Sequence, residues 1–347
     1  MTKRKLLPAF SLAVAALILP VAAVGKKGNK VGKLELKPTE NATAVLWQAP
    51  ADIHSRNLFY GPGGKGHAPH SVYSFIKEDL NGTNPKFDVR DENNVKWKVK
   101  LGIEAQPEVV ATRLVWAVGY SANEDYFLPE LRVENMPAHL RRGQNLVSDG
   151  GTVHNVRLKR SLKNEKKVGS WQWRANPFAG RRELNGLRVM MALLNNWDLK
   201  DVNNSVYEDK HPQKSNNFAE VYMVSDLGST FGTTGRSWPR TKAKCNLESY
   251  SHSKFISKVT PEYVDFNVPT RPALIYFFTL PEFISRMHLR WIGKRIPRSD
   301  ARWVGQLLAQ LSSEQIHDAF RAAGYSPEQV EGFSKVVEAR IGELNEL

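Results

Sequence analysis

The chain has 347 residues, of which 41% are hydrophobic and 24% are charged, and its formal net charge at pH 7 is +14. A chain of this length and composition can bury a sizeable core, which excludes general disorder. Its basic charge favours anionic partners such as nucleotides, acidic substrates, nucleic acid or anionic envelope polymers. The single cysteine excludes an intrachain disulfide, and no Cys-x-x-Cys or His-Glu-x-x-His spacing supports a zinc site.

The N-terminus has the pattern of an export signal. Residues 3–5 are basic, residues 6–24 are uncharged and mostly apolar, and small residues precede the next lysines. The apolar run is also about long enough to cross a membrane. We therefore expect residues 1–25 to be a signal peptide or an N-terminal anchor and the protein to be exported, to a periplasm or beyond the cell. Residues 26–44 are rich in Lys, Gly, Pro and Thr, which predicts a flexible tether.

A glycine-rich stretch follows at residues 60–66. Gly61, Gly63 and Gly66 fit the spacing G-x-G-x-x-G. Glycines at this spacing would let backbone N–H groups approach phosphates. An ordinary surface loop is the alternative, because short motifs match by chance often.

The segment Phe87–Leu101 alternates between apolar residues and lysines, which predicts a strand. Lys98 and Lys100 lie on its polar face. A helix is predicted from Pro107 onwards, with Glu108 in its first turn. A solvated lysine face, and a glutamate that complements the helix dipole, are the structural alternatives.

Two further strands are predicted, at Tyr126–Val133 and Thr152–Leu158. The run of basic residues at 157–167 is followed by Trp171 and Trp173. Such a run is usually a solvated face, and it could also receive an anionic substrate. Nucleic acid is an unlikely partner, because no known nucleic-acid module accompanies the run.

A mostly buried helix is predicted at Glu183–Asn195, and it leads into a loop that contains Asp198, Lys200 and Asn203. We interpret residues 207–217 as a polar insertion. A predicted strand at 220–224 then precedes Asp226-Leu227-Gly228. Phosphoryl transfer needs a carboxylate to hold the attacking hydroxyl, oxygen ligands for magnesium and a cation near the transferring group. These residues could supply all of them, although Asp and Asn are also common turn residues.

At these residues the chain resembles the protein-kinase-like superfamily, in which D-x-K-x-x-N is followed by D-x-G. It is most similar to the atypical branch, which includes HipA-type and secretory-pathway kinases. Trp197 and Leu227 stand where the family usually has Arg and Phe. The resemblance implies an α+β, two-lobed fold with the nucleotide between the lobes. The β-rich N-lobe with one helix would span 45–170, and the mostly helical C-lobe 171–347.

The resemblance also implies a role for each candidate residue. Asp198 would orient the acceptor hydroxyl and Lys200 would contact the transferring phosphoryl group. Asn203 and Asp226 would hold Mg²⁺, or Mn²⁺ in its place. The residues implied in nucleotide binding are Lys100 or Lys98, positioned by Glu108, together with Gly61, Gly63 and Gly66.

The implied function is an exported ATP- and Mg²⁺-dependent phosphotransferase that acts on an unknown hydroxyl-bearing acceptor, and the basic charge of the chain is compatible with an acidic one. The alternative is a non-catalytic, pseudokinase-like scaffold that holds an acidic polymer or partner at the cell envelope through its basic surface. A hydrolase has no support, because the G-x-S-x-G elbow is absent.

The last third of the chain is predicted to be helical. Ser312 and Ser326 each begin a capping box of the S-x-x-Q type, and Pro327 occupies a favoured first helical position. The predicted helices span 301–311, 313–323 and 327–345, and their apolar spacing indicates packing.

Overall fold

A computed structural model gives the structure of this chain. All the residues it describes belong to one unit, Leu34–Leu347. The described residues are 42–70, 72–162, 165–209, 219–233, 244–268, 284 and 287–347. The predicted export segment, residues 1–25, lies outside them. So does most of the predicted tether, whose last two residues belong to a strand.

The fold combines strands and helices, which confirms the predicted α+β class. The strands are β1 (Thr43–Val45), β2 (Tyr73–Glu78), β3 (Lys86–Asp91), β4 (Lys96–Lys100), β5 (Asp125–Glu134), β6 (Val147–Ser148), β7 (Thr152–Arg160), β8 (Glu165–Gly169), β9 (Asn204–Asp209), β10 (Ala219–Val224), β11 (Ile256–Val259), β12 (Tyr263–Phe266) and β13 (Ile296–Pro297). The helices are α1 (Ala105–Ala117), α2 (Arg182–Leu193), α3 (Leu247–Ser251), α4 (Arg298–Leu308), α5 (Ser313–Arg321) and α6 (Pro327–Asn345).

The first sheet curls into a barrel. Its strand order is β4-β3-β2-β5-β7-β6, and β4 also pairs with β7. Side chains alternate between the two faces of a strand, so Trp97 and Val99 of β4 lie in the barrel's core cluster. Lys98 and Lys100 consequently lie on its outer face. The helix α1 packs there, against β5 and β7.

The strand predicted over Phe87–Leu101 is in fact a hairpin. Its turn is held by the Asp91 carboxylate, which accepts hydrogen bonds from the backbone N–H groups of Asn93 (2.9 Å) and Val95 (2.8 Å). The buried apolar residues on both sides of the turn, Phe87, Val89, Trp97 and Val99, are odd-numbered. The period of two therefore continues through the turn, and periodicity alone could not reveal it.

A second sheet, in the order β1-β10-β9-β8, carries the central polar loop. The strand β9 begins directly after Asn203 and pairs antiparallel with β10, which ends just before Asp226. The prediction of a polar insertion at 207–217 is therefore wrong for residues 207–209, which belong to β9. Residues 210–217 of the predicted insertion lie outside the described part of the chain.

The C-terminal helices follow the prediction closely. In both capping boxes the serine Oγ accepts from a backbone N–H, that of Gln315 at 3.2 Å and that of Gln329 at 3.3 Å. The helix predicted at 301–311 is observed as α4, which begins and ends three residues earlier. It starts directly after Pro297. Together with α1 and α2, these helices contribute buried side chains to the larger hydrophobic core. Within the described residues, no helix is both long and apolar enough to span a membrane.

Candidate functional site

Lys100 is the centre of a buried cluster of charges. Its Nζ lies 2.8 Å from Glu108 Oε2, 3.1 Å from Asp226 Oδ1 and 3.1 Å from Glu104 Oε2. Lys100 ends β4, Glu108 lies in the first turn of α1 and Asp226 follows β10. These three elements therefore meet at the Lys100 ammonium group. The predicted pairing of this lysine with the glutamate is present in the structure.

The charges in this cluster stabilise one another. Burial alone would lower the pKa of Lys100, but the three carboxylates raise it above its ordinary value. Burial would likewise raise the pKa of Asp226, yet the contact with Lys100 lowers it to about 2. Arg157 adds a second cation, with Nη2 3.0 Å from Glu108 Oε1. The pair Lys100–Asp226 is therefore ionised at neutral pH.

Lys98 has different surroundings. Its side chain is 36% exposed; Nζ contacts the Asp79 carboxylate and lies 3.3 Å from Asp88 Oδ1. Sequence periodicity placed Lys98 and Lys100 on one face but could not choose between them. Tertiary packing brings Lys100, and not Lys98, to Glu108.

The loop after α2 positions Asp198. Asn195 turns the chain with a φ of 51°, and the Asn196 carboxamide oxygen accepts from the backbone N–H of Asp198 at 3.1 Å. The Asn203 Nδ2 donates to the backbone oxygen of Asp198 at 2.6 Å. Lys200 Nζ lies 3.4 Å from Asp198 Oδ1. The hydrogen bond from Asn203 to Asp198 therefore closes the loop, and Lys200 lies beside the Asp198 carboxylate.

Ser225 joins this loop to Asp226. Its backbone N–H and its hydroxyl both donate to the backbone oxygen of Asn203, at 2.9 and 3.0 Å. Trp197 contributes a second link, since its backbone N–H donates to the backbone oxygen of Ser229 at 3.2 Å. Backbone hydrogen bonds thus join the loop that carries Asp198, Lys200 and Asn203 to the segment that carries Asp226, and Asp226 in turn contacts Lys100.

The two departures from the kinase pattern are both buried. Leu227 has no exposed surface and lies in the larger core. Trp197 is 5% exposed, and its ring centre lies 5.3 Å from Lys244 Nζ. That ammonium group also contacts the Glu104 carboxylate. Lys244 therefore lies between the ring of Trp197 and the Glu104 carboxylate.

The glycine-rich stretch lies elsewhere. Gly61 packs against the Arg113 side chain of α1, and the backbone oxygen of Gly64 accepts from Tyr126 OH at 3.0 Å. Gly66 lies in a short 3-10 helix. Among the contacts of the described residues, none brings Gly61, Gly63 or Gly66 to the Lys100 cluster. The phosphate-covering role of these glycines stays a prediction.

The hairpin turn at residues 79–85 contacts the cluster instead. The Asn84 carboxamide donates to the Glu104 carboxylate, and the Arg142 guanidinium holds the turn by donating to the backbone oxygen of Asp79 at 2.6 Å. This turn contains Asn81-Gly82 between two strands. That dipeptide is a strong hairpin signal, and it is the signal the sequence analysis missed. Glu104, Arg157 and Lys244 were also missed, because the contacts of Glu104 with Lys244 and of Arg157 with Glu108 join residues far apart in the chain.

Asn203 and Asp226 are suitable ligands for a hard cation. Mg²⁺ prefers oxygen ligands and takes only one or two carboxylates, completing its shell with water and substrate phosphates. The Asp226 side chain is 42% exposed, and the Asn203 Nδ2 is already engaged, which leaves the amide oxygen for a metal. Among the described residues no group of three or more His, Cys, Asp or Glu side chains forms a closed metal site. The donor set fits a metal that enters together with phosphates.

Comparisons with known proteins point to kinases at low similarity. No family model and no curated protein matches the chain. It is similar to the proinflammatory kinase CtkA of Helicobacter pylori, with 12% identity and a TM-score of 0.46 over 80% of this chain and 97% of that one. Two structures of the Golgi casein kinase, one with Mn/ADP bound, are similar at 12% identity, with TM-scores of 0.32 and 0.30. They cover 78% of this chain, and 75% and 74% of theirs. At these scores the likeness does not by itself establish a family or an activity.

Proposed function

We propose that this protein is a kinase-like phosphotransferase that uses ATP and a divalent metal, Mg²⁺ or Mn²⁺. One observation supports this above all: Lys100 Nζ contacts Glu108 Oε2 at 2.8 Å and Asp226 Oδ1 at 3.1 Å. Protein kinases require both a lysine–glutamate ion pair and a metal-binding aspartate at the nucleotide phosphates, and here both carboxylates lie beside the Lys100 ammonium group.

The residues of the site have separate roles in this proposal. Lys100 binds nucleotide phosphates and Glu108 keeps its ammonium group in place. Asn203 and Asp226 hold the metal, which when bound neutralises phosphate charge. Asp198 orients the acceptor hydroxyl and accepts its proton, and Lys200 stabilises charge on the transferring group. The basic surface makes an acidic acceptor the preferred class.

A non-catalytic scaffold is the second candidate, and one observation favours it. The Lys100 ammonium group already contacts three carboxylates. A nucleotide phosphate must therefore compete with Asp226 for the same cation. If the ion pairs win that competition, the protein binds partners through its basic surface and does not bind nucleotide.

Nucleotide titration into Asp226→Asn and Asp198→Asn separates these functions. A ligand at about 100 times its dissociation constant stabilises the folded state by roughly 2.7 kcal/mol, which gives a clear melting shift for the wild type with ATP and Mg²⁺. Asp226→Asn should lose the metal-dependent part of this shift, because it removes a charged metal ligand. Asp198→Asn should keep it and lose turnover, because that carboxylate acts on the acceptor.

Two results would contradict the proposal. A wild-type protein that melts cooperatively but shows no shift with any nucleotide and divalent metal would favour the scaffold. Unchanged affinity in Asp226→Asn would remove the metal assignment. If both aspartates were only turn residues, each substitution would cost at most about 1 kcal/mol of stability and leave binding intact.

We also propose that the protein acts outside the cytoplasm, as residues 1–25 indicate. The mature chain should then begin at or near Val24 or Lys26. Mass spectrometry of protein recovered from its native host measures this directly. A membrane-bound form that retains Met1 or Thr2 would show an anchor instead.

A further inference from the structure

The outer face of the barrel carries a row of cations beyond Lys100. In the pairing of β4 with β7, Lys100 lies opposite Arg157 and Lys98 lies opposite Lys159. Residues two apart on a strand share a face and are separated by about 7 Å. Lys159 therefore lies one such step from the Lys100 cluster. It is next to the end of β7, where the chain leaves the barrel for the second sheet.

The second sheet faces this row with Tyr207. On β9, Val206 lies in the larger core, so Tyr207 projects from the opposite face of the strand. Lys159 Nζ donates to Tyr207 OH at 3.2 Å and lies 5.5 Å from the centre of its ring. Lys167 lies directly opposite Tyr207 in the pairing of β8 with β9. We call Lys159, Tyr207 and Lys167 the junction cluster.

The junction cluster differs from its neighbours in charge balance. Lys98, Lys100 and Arg157 each contact carboxylates. Over the described ranges of the chain, by contrast, no carboxylate contacts Lys159 or Lys167. Lys167 is exposed as a residue, yet burial of its ammonium group and then the charge of Lys159 lower its pKa. Two cations beside one hydroxyl form a set of hydrogen-bond donors for which the described residues supply no anionic partner.

We propose that the junction cluster binds the base of the nucleotide and selects a purine that carries a carbonyl group at position 6 over adenine. This inference rests on the proposed function, in which the phosphates lie at Lys100. Lysine ammonium groups pair with O6 and N7 of guanine, whereas adenine presents an amine donor at the same edge. An amine opposite Lys159 and Lys167 would leave donors facing donors. A carbonyl oxygen and a ring nitrogen accept from both.

Binding of ATP, GTP and ITP, each with Mg²⁺, tests the inference by calorimetry and by thermal shift. ITP has the O6 and N7 acceptors of GTP but lacks its exocyclic amine. We expect GTP and ITP to bind with similar affinity, each about tenfold more tightly than ATP. Lys159→Met should weaken GTP and ITP about tenfold and ATP by less than about twofold. Melting without ligand verifies that each variant is folded.

Lys166→Met is the matched control, because Lys166 is an exposed neighbour on β8 whose side chain points to the other face from that of Lys167. It removes the same charge and should leave the preference for GTP unchanged. Inorganic triphosphate with Mg²⁺ is the second control. If Lys159→Met weakened triphosphate as much as GTP, the junction cluster would bind phosphate, and the base assignment would be overturned.

The remaining outcomes separate the two proposals. Equal affinity for ATP and GTP, or unchanged affinity in Lys159→Met, overturns base selection and leaves the phosphotransferase standing. In that case Asp226→Asn still abolishes metal-dependent binding of all three nucleotides. A folded wild type that binds none of them overturns both proposals.

Discussion

The Lys100 cluster keeps buried charges stable because cations and carboxylates alternate within it. Lys100 touches Glu104, Glu108 and Asp226, and Arg157 touches Glu108 in turn. A buried ion costs several kcal/mol unless partners surround it. Removing one cation from the cluster leaves carboxylates without compensation, so the cluster is sensitive to single substitutions.

The two candidate lysines of β4 should therefore respond differently to substitution. Lys100→Met should lower the free energy of unfolding by about 3 kcal/mol, because Glu104, Glu108 and Asp226 lose their shared cation. Lys98→Met should cost about 1 kcal/mol or less, because its side chain is 36% exposed and its ion pairs are screened by water. Urea denaturation of both variants measures the difference.

Equal losses of unfolding free energy in the two lysine variants would contradict a special contribution of the Lys100 cluster to stability. Titration of ATP and Mg²⁺ into the folded protein of each variant gives a second comparison. Lys98→Met should retain binding of ATP with Mg²⁺, and Lys100→Met should lose it.

At the scale of elements, the packing of α4 on α6 depends on a glycine. A Cβ placed on Gly305 would lie 2.7 Å from Leu344 Cβ. The two helices therefore approach more closely than any side chain at that position would permit. A second glycine, Gly342 in α6, has nothing within 4 Å of the position a Cβ would take.

Substitution by alanine should change stability in opposite directions at these two glycines. Gly305→Ala should destabilise the protein by about 1–3 kcal/mol, because it overpacks the helix contact. Gly342→Ala should stabilise it by about 0.5–1 kcal/mol, because alanine is the better helix former and meets no neighbour. Thermal melts of both variants measure the signs. A stabilising Gly305→Ala would mean that α4 and α6 are farther apart than the structure shows.

Elements defined by local signals were predicted well, and those defined by pairing were not. The two capping boxes fixed the starts of α5 and α6, because their hydrogen bonds join residues only three apart. The hairpin β3–β4 resembles a single strand in sequence, because its apolar residues keep the same parity across the turn. Short strands such as β1 and β13 carry little pattern, and their partners lie far away in the sequence.

At the scale of the whole molecule, Arg340 connects the last helix to the loop that carries Asp198. Its Nη1 donates to the backbone oxygen of Leu193 at 2.7 Å and to Asn195 Oδ1 at 3.0 Å. Its Nη2 donates to the backbone oxygen of Tyr250 at 3.1 Å. Only 2% of Arg340 is exposed. The C-terminal helix thus supports the turn from which the central loop begins.

Arg340→Met should therefore destabilise the protein by at least about 3 kcal/mol, since several buried acceptors lose their donor and each costs about 1–3 kcal/mol. Arg321→Met is the control. Arg321 is 43% exposed and pairs with Glu314 and Asp318 on the surface, so its loss should cost less than about 1 kcal/mol. Similar midpoints of urea denaturation for the two variants would contradict the structural role of Arg340.

The sequence by itself determined the residue types of the candidate site and their order along the chain. Asp198, Lys200, Asn203 and Asp226 could be named because the chemistry of phosphoryl transfer restricts both residue type and order. The α+β class and the C-terminal helices could also be predicted, because periodicity and capping act over a few residues.

Only the tertiary structure decided which lysine pairs with Glu108, and that the turn at residues 79–85 contacts Glu104. Both depend on the pairing of distant strands and on the packing of α1 against the barrel. The same is true of Glu104, Arg157, Lys244 and the junction cluster, whose contacts join residues far apart in the chain. A charge or a hydroxyl carries no local sign of its partner, because ion pairs and hydrogen bonds depend on distance in space and not on separation in sequence.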